Sequence, residues 1–303
     1  MFPDVSQLYP EENSVELPPA QPAYAGAGPP NVFVLSIGGS VIANGRPDAG
    51  KIAELCSCIN ELVREGYKFV LVVGGGKPGR EYIAAAAELG ANHFVQDEIG
   101  ISITRANAAL FIGPIENSSS HVLTHIRDAK QPLDQGRTPV FGGLLPGLTT
   151  DAVGALIAEF LGGTFVNLSN VDGIYDSDPK TNSDALLYRE LSHAKLLRLV
   201  GEKISKPGQN LIVDSVAAMV LRRSKIRALF LNGNDTQNLK AAIRGQEFTG
   251  TIVGDFAAGA ESEEGAETPH HGRKKRAAKK PPKGKFIEWE EDPKDIDPED
   301  IEM

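Results

Sequence analysis

The fold of this chain is decided by residues 69–82, FVLVVGGGKPGREY, where a hydrophobic run ends in three successive glycines. The β-branched run predicts a buried strand, and the alanine-rich residues 84–89 predict a helix after the glycines. Glycine lets the backbone approach a ligand closely, and the N–H groups that begin a helix attract anions. Pro78 suits a first helical turn, because a backbone N–H at that position would have no partner within the helix. The stretch therefore predicts a strand, a phosphate-binding loop and a helix, with a tight turn that binds nothing as the alternative.

Length and composition describe a globular protein. The chain has 303 residues, 41% of them hydrophobic, which is enough for one large α/β domain or two small ones. A net charge of -9 argues against a nucleic-acid-binding body and suits a cytoplasmic protein. No hydrophobic run is as long as a membrane span, and the acidic, proline-rich start is unlike a secretory signal. Cys56 and Cys58 point to different faces of a predicted helix, so we expect ordinary thiols, neither a disulfide nor a zinc pair.

Three more segments repeat the pattern of a hydrophobic strand followed by a loop rich in glycine or Asx residues. They lie at residues 32–35, 138–141 and 164–168. Helical periodicity lies between the strands, in residues 49–65 and in residues 152–161, the latter with Thr149 or Thr150 as N-cap. This alternation predicts an α/β fold with a mainly parallel central sheet between helices. In such sheets ligands bind beyond the carboxyl ends of the strands, where these loops would meet.

Two further helices are predicted from hydrophobic spacing. One covers residues 99–112, after a separate segment at residues 92–98, and the other covers residues 191–202.

The two ends of the chain differ from its body. Residues 1–30 lack periodicity and are predicted to be a disordered leader, so that the folded domain covers residues 31–253. Residues 254–303 form a predicted disordered tail, with a basic run at residues 273–285 followed by an acidic one. A basic run of this kind can bind RNA, anionic lipid or a transport receptor, and the alternative is a solvated tail. Its cluster of large hydrophobic residues is Phe286, Ile287 and Trp289.

The glycine spacing at Gly74, Gly76 and Gly79 also matches the dinucleotide-binding fingerprint, with Asp97 or Glu98 about twenty residues further on. That fingerprint requires the acid to end a second strand, and the residues before Asp97 do not form a convincing one. It also leaves the other loops unexplained. Several glycine loops instead indicate two phosphorylated ligands that meet in one crevice.

Taken in order, the motifs resemble those of the amino-acid kinase superfamily, and within it the archaeal type of uridylate (UMP) kinase. The resemblance covers residues 31–253. It rests on IGGSV (37–41), VVGGGK (72–77), TRANA (104–108), PVFGG (139–143), TTDAV (149–153) and NVDGIY (170–175). The resemblance implies a three-layer αβα fold and a homo-oligomer, usually a hexamer built from dimers.

The implied reaction is transfer of the ATP γ-phosphoryl group to UMP with Mg²⁺, in pyrimidine nucleotide biosynthesis. A phosphate acceptor is already ionised at neutral pH, so no general base is needed and positioning with charge neutralisation carries the catalysis. Backbone N–H groups at Gly38, Gly39, Gly75 and Gly76 are expected to hold the transferring group.

The resemblance also assigns the site residues. For ATP these are Gly39, Ser40, Gly76, Arg80, Ser169, Asn170, Tyr175 and Asp178. For UMP they are Gly75, Asp97, Leu144, Leu145, Pro146, Gly147, Leu148, Thr149 and Thr150. Asp151 and Lys206 are the catalytic residues. Asp151 would orient amides or a lysine, or reach Mg²⁺ through water. From the residues alone, Tyr175 could instead be a core tyrosine and Asp97 a helix cap.

The sequence departs from the superfamily pattern at two places in the predicted site. Ser36 stands where many members have a lysine, so Lys206, Arg80 or Lys77 would have to supply the positive charge. The acceptor loop carries Leu144, Leu145 and Leu148 where relatives often have polar residues. Two alternatives to UMP kinase follow: another small-molecule kinase of the superfamily, or a non-catalytic nucleotide-binding or metal-storage protein on the same fold. A dinucleotide-binding oxidoreductase is a third.

Overall fold

A computed structural model describes residues 31–182, 184–204, 213–255 and 286–287. The strands are β1 (Val32–Ile37), β2 (Ala43–Asn44), β3 (Arg46–Pro47), β4 (Lys68–Val73), β5 (Val140–Phe141), β6 (Thr164–Ser169), β7 (Leu187–Tyr188), β8 (Glu190–Leu191), β9 (Ala228–Asn232), β10 (Thr251–Val253) and β11 (Phe286–Ile287). The helices are α1 (Gly39–Ile42), α2 (Ala49–Arg64), α3 (Gly76–Glu88), α4 (His93–Ile112), α5 (Lys130–Asp134), α6 (Thr150–Leu161), α7 (His193–Ile204), α8 (Ser215–Arg223) and α9 (Thr236–Ile243). A short 3₁₀ helix, Ile126–Ala129, precedes α5.

Within the described residues, seven strands form one sheet in the order β5-β4-β1-β6-β9-β10-β8. Strand β1 lies near its centre and pairs in parallel with both β4 and β6. Only β10 runs antiparallel to its neighbour β9. Because the pairings place Ile37 beside both Val73 and Leu168, the carboxyl ends of three strands lie side by side. The predicted fold class is confirmed.

Helices cover both faces of the sheet, so its central strands are buried on both sides. Alternate residues of β1 illustrate this, since Val34 packs into one hydrophobic cluster and Phe33 and Leu35 into the other. Strands buried on both faces are nearly continuous hydrophobic runs, which is why they could be recognised from sequence.

Two helix predictions need correction. Residues 92–112 do not form two segments: α4 is one helix, capped by the Asn92 side chain, which accepts from the Val95 N–H (3.0 Å). The helix continues through Gly100, where a Cβ would lie 3.0 Å from Ile83 Cδ1 of α3, so glycine allows the two helices to pack closely. The other helix begins at His193 rather than residue 191, because Leu191 pairs with Val253 in the sheet.

The two cysteines are free and buried, as expected of ordinary thiols. Burial raises the pKa of the Cys56 thiol to about 12 and that of Cys58 to about 11.

The predicted leader and most of the predicted tail lie outside the described residues. Within the tail, β11 pairs in parallel with β7. In the part of the chain that the structure describes, no helix is both long and hydrophobic enough to cross a membrane.

Candidate active site

Two glycine loops, after β1 and after β4, pack backbone against backbone. The Gly74 N–H donates to the Ile37 carbonyl (2.9 Å), which ties the end of one strand to the loop of the other. A Cβ on Gly39 would lie 1.9 Å from the Gly76 nitrogen, so only glycine fits there. Gly76 has a φ of +65° and its own Cβ would lie 2.6 Å from the Gly39 oxygen. The loops are therefore held in contact by glycines that leave no space for a side chain.

This contact places the first turns of α1 and α3 next to each other. Their leading N–H groups, at Gly39, Ser40, Gly76 and Lys77, occupy helix positions that have no partner within the helix. Such groups attract phosphate. Gly38 does not join them, because its N–H donates to the Leu168 carbonyl of β6 (2.8 Å). The expectation that Gly38 offers its amide to the transferring group is wrong, since strand pairing already uses it.

Polar side chains of helix α4 hold the loops after β4 and β5, and two of them, Thr104 and Asn107, are buried. The Asn107 Nδ2 donates to the carbonyls of Gly74 (2.9 Å) and Gly75 (3.2 Å). Thr104 Oγ1 accepts from the Gly143 N–H (2.7 Å), and Arg105 Nε donates to the Gly143 carbonyl (3.1 Å). In the sequence these residues were recognisable only as a family motif, without this positioning role. The available signal was the polar pair Thr104 and Asn107, three residues apart on a helix that is otherwise largely hydrophobic.

We predict that Thr104→Val lowers the free energy of unfolding by about 2 kcal/mol, because it leaves the buried Gly143 N–H without an acceptor. Urea unfolding of the two proteins measures this. Thr104→Ser retains the hydroxyl and should lose clearly less. Equal losses in the two variants would show that packing of the methyl group matters and not the hydrogen bond.

Asp151 lies at the start of α6 and receives two hydrogen bonds on one oxygen. Ser36 Oγ donates to its Oδ1 (2.6 Å), and Asn167 Nδ2 donates to the same atom (2.9 Å). Burial of the carboxyl raises its pKa to about 6; the negative charge of Asp214 adds to the rise, and the two hydrogen bonds oppose it. Ser36 thus supplies a neutral donor where a lysine would supply a charge. Lys206, the other predicted catalytic residue, lies outside the described residues.

The predicted acceptor loop, residues 144–150, is tied to α4 by Asp97. Its Oδ2 accepts from the Gly147 N–H (2.8 Å), which brings together two residues predicted to bind UMP. Asp97 lies inside α4, whose cap is Asn92, so the helix-cap alternative for Asp97 is wrong. Its position in a helix also contradicts the dinucleotide-binding alternative, which needs an acid at the end of a strand.

The three leucines of this loop differ in burial. Leu144 and Leu148 pack against the core, whereas Leu145 is 61% exposed. Pro146 is half-buried, and Thr149 caps α6 by accepting from the Ala152 N–H (3.0 Å). The predicted N-cap is therefore confirmed, with Thr149 as the residue and Thr150 as the first helical position.

The loop after β6 holds the predicted donor-nucleotide residues. Ser169 ends the strand, beside the glycine loop after β1, and Asn170 follows it. Tyr175 is half-buried and donates to Asp172 Oδ2 (3.3 Å); burial and the Asp172 charge raise its pKa to about 12. Asp178 accepts from the Lys180 N–H (2.9 Å), which shapes the end of this loop. Tyr175 is therefore no core tyrosine. Arg80 is exposed on α3.

The described residues contain no group of three or more His, Cys, Asp or Glu side chains that could hold a metal ion.

Comparison with known proteins gives consistent matches. A model of the amino acid kinase family matches residues 31–232. A uridylate kinase from Archaeoglobus fulgidus is 41% identical over 221 residues, which make up 73% of this chain and 98% of that protein. One from Pyrococcus abyssi is 40% identical over 223 residues, again 73% of this chain and 98% of that protein.

Solved structures agree with these matches. The crystal structure of the Archaeoglobus fulgidus uridylate kinase superposes with a TM-score of 0.65 at 40% identity, covering 73% of this chain and 99% of that one. A UMP kinase from Bacillus anthracis superposes with a TM-score of 0.64 at 23% identity, covering 76% of this chain and 98% of that one, which shows likeness of fold.

Proposed function

Because the chain belongs to the amino acid kinase family and spans nearly the full length of uridylate kinases about 40% identical to it, we infer that it is a UMP kinase. It transfers the γ-phosphoryl group of ATP to UMP. The observation that carries this is the meeting of two glycine loops, at Gly39 and Gly76, beside the start of α6 with its carboxylate Asp151. The domain responsible is proposed to cover residues 31–253.

Catalysis follows from positioning, because the phosphate of UMP is a nucleophile that needs no deprotonation. The leading amides of α1 and α3 would bind the phosphates of ATP at Gly39, Ser40 and Gly76, and the fixed dipoles of these helix starts would stabilise the charge that develops during transfer. The loop after β6, from Ser169 to Asp178, would form the wall for adenosine. On the opposite side, Gly75, Asp97 and the loop of residues 144–150 would hold UMP.

Magnesium is proposed to enter with ATP. Mg²⁺ usually keeps several water ligands and binds substrate phosphates with one or two carboxylates at most, so the absence of a metal-binding cluster from the described residues is compatible with it. When bound, it would neutralise charge on the phosphates. The residues described here would orient those phosphates through backbone amides.

The positive charge at the donor site is proposed to come from Arg80, together with Lys206. Ser36 is neutral, and the recorded hydrogen bonds of Asp151 come from the neutral groups of Ser36 and Asn167. Arg80 lies one turn into α3, just after the glycine loop, with its side chain exposed. A guanidinium in this place can reach a polyphosphate and form two hydrogen bonds with it.

We predict that Arg80→Ala lowers kcat/KM for ATP by about 100-fold, since one charge-assisted contact to the transferring group is lost. Steady-state rates of ADP formation at saturating UMP measure this. Arg64→Ala is the matched control: Arg64 is paired with Glu116 (2.9 Å) and lies just before β4, at the opposite edge of the sheet. An equal loss in both variants would show that Arg80 has no specific role in binding ATP.

An acceptor panel tests the function itself. The purified protein with ATP and Mg²⁺ should form ADP only when UMP is present, and CMP or AMP should support far less turnover. Equal turnover with all three nucleotides would overturn the specificity for UMP. Tight ATP binding without turnover would instead favour a storage or binding protein, an alternative that the similarity to uridylate kinases does not support.

We also propose a cytoplasmic homo-oligomer, a hexamer by family resemblance, that acts in pyrimidine nucleotide biosynthesis. Exposed Tyr82 (60%) and Phe94 (61%) support an interface between subunits, because they lie on the adjacent helices α3 and α4. Light scattering of the purified protein tests the assembly, and a monomer at working concentration would refute it.

A further inference from the structure

The hydroxyl group of Thr149 has two partners in the structure. It accepts a hydrogen bond from the Ala152 N–H (3.0 Å) as the cap of α6, and it donates its own proton to Asp214 Oδ2. A threonine hydroxyl carries one proton and can donate only once. Thr149 is predicted to bind UMP, yet its hydroxyl proton is donated to a side chain 65 residues further along the chain.

Asp214 joins the starts of two helices. Its Oδ1 caps α8 by accepting from the N–H groups of Val216 (2.8 Å) and Ala217 (3.0 Å). Its Oδ2 accepts from Thr149, the cap of α6. The cap residue of α9, Asp235, has a simpler arrangement and accepts from Asn238 of its own helix (2.9 Å). Asp214 therefore fixes α6 relative to α8, whose side chains pack together in the same hydrophobic cluster.

We propose that Asp214 is a positioning residue for the UMP phosphate. It accepts the proton of the Thr149 hydroxyl, so that this hydroxyl caps α6 and does not donate to the phosphate. This inference rests on the proposed function and refines its acceptor site. The Thr150 hydroxyl and the N–H groups of Thr150 and Asp151 then remain to meet the phosphate. These two amides occupy the first two helical positions of α6, where the helix offers them no carbonyl.

The proposal makes Thr149 and Asp214 act as one unit, which a double-mutant cycle detects. Asp214→Ala and Thr149→Val should each raise KM for UMP about tenfold, because the first turn of α6 loses its fixed position. The double variant should also show about a tenfold rise, and KM for ATP should change less than twofold. Asp235→Ala removes a cap aspartate of the same kind from α9 and should leave both KM values unchanged.

If Thr149 donated to the phosphate directly, the two losses would multiply to about a hundredfold in the double variant, and the proposal would be overturned. It would also be overturned if Asp214→Ala behaved like Asp235→Ala. Asp214→Asn is a milder second variant, since it keeps an oxygen for the α8 amides but has no second oxygen for Thr149. It should reproduce the rise in KM for UMP.

Hydrogen exchange separates this proposal from the proposed function. In protein without nucleotides, Asp214→Ala should speed exchange of the peptide that contains the Ala152 N–H, and Asp235→Ala should not. Unchanged exchange in Asp214→Ala would refute the positioning role even in an active enzyme. Absence of UMP-dependent turnover in the wild-type protein would refute the function while leaving this structural result standing.

Discussion

Gly76→Ala should cost the protein about 3 kcal/mol of stability and reduce its kinase activity at least 100-fold. A Cβ at this position would lie 2.6 Å from the Gly39 oxygen and 3.0 Å from the Ala43 oxygen, and both are backbone atoms that cannot rotate away. The φ of +65° adds strain for any residue with a side chain. The two glycine loops would have to separate, and a displacement of about 1 Å at the transferring group can cost 100-fold in rate.

Gly162→Ala is the control that separates backbone strain at a positive φ from a clash between the new Cβ and backbone atoms of the other loop. Gly162 has nearly the same φ, +63°, but no atom lies within 4 Å of the Cβ that it would gain. We expect it to lose about 1 kcal/mol and to keep its kcat, because it lies at the carboxyl end of α6, away from the loops. Thermal unfolding and ADP formation measure both variants. Equal effects on stability would show that the contact between the loops contributes nothing.

Local patterns in the sequence predicted the parts of this site that depend on residues close together in the chain. The strand, glycine loop and helix of residues 69–82 were recognisable because the hydrophobic run, the glycines and Pro78 follow one another directly in the chain. The Thr149 cap was predictable for the same reason, since its partner Ala152 lies three residues away. The alternation of strands and helices then indicated where these loops would meet.

Contacts between distant residues could not be predicted in this way. Asp97 bonds to the Gly147 N–H across 50 residues, and Thr149 bonds to Asp214 across 65. The same limit explains the error at Gly38, whose amide is taken by Leu168 because β1 pairs with β6. Strand pairing decides the Gly38 contact, and packing of the helices decides the other two. A hydrophobic run carries no information about which strand or helix will lie beside it.

Asp151→Asn should make the folded protein more stable at pH 8 while lowering kcat about 100-fold. The loss of activity follows from removing a charged group at the predicted point of transfer. The gain in stability follows from burial, which raises the pKa of the folded carboxyl from 3.8 to about 6. Above pH 6 the wild-type protein must hold an ionised group where its neutral form is favoured. Asparagine carries no charge, and its oxygen can still accept from Ser36 and Asn167.

Because the pKa of the Asp151 carboxyl is raised in the folded state, the stability of the protein depends on pH. A folded-state pKa raised above the unfolded value adds stability that is complete below pH 3.8 and is lost as the pH rises through about 6. The advantage of Asp151→Asn should therefore be about 2 kcal/mol at pH 8 and should vanish near pH 4, where the wild-type carboxyl is protonated. Urea unfolding at a series of pH values measures it.

Ser36→Ala should change stability in the opposite direction, which makes it the internal control for Asp151. It removes the hydrogen bond that favours the ionised carboxylate, so we expect a loss of about 1–2 kcal/mol at pH 8 and a smaller loss near pH 4. In the Asp151→Asn background, that dependence on pH should disappear because no charge remains to be stabilised. A constant gain for Asp151→Asn across the pH range would show that packing, and not burial of its charge, sets the stability at this position.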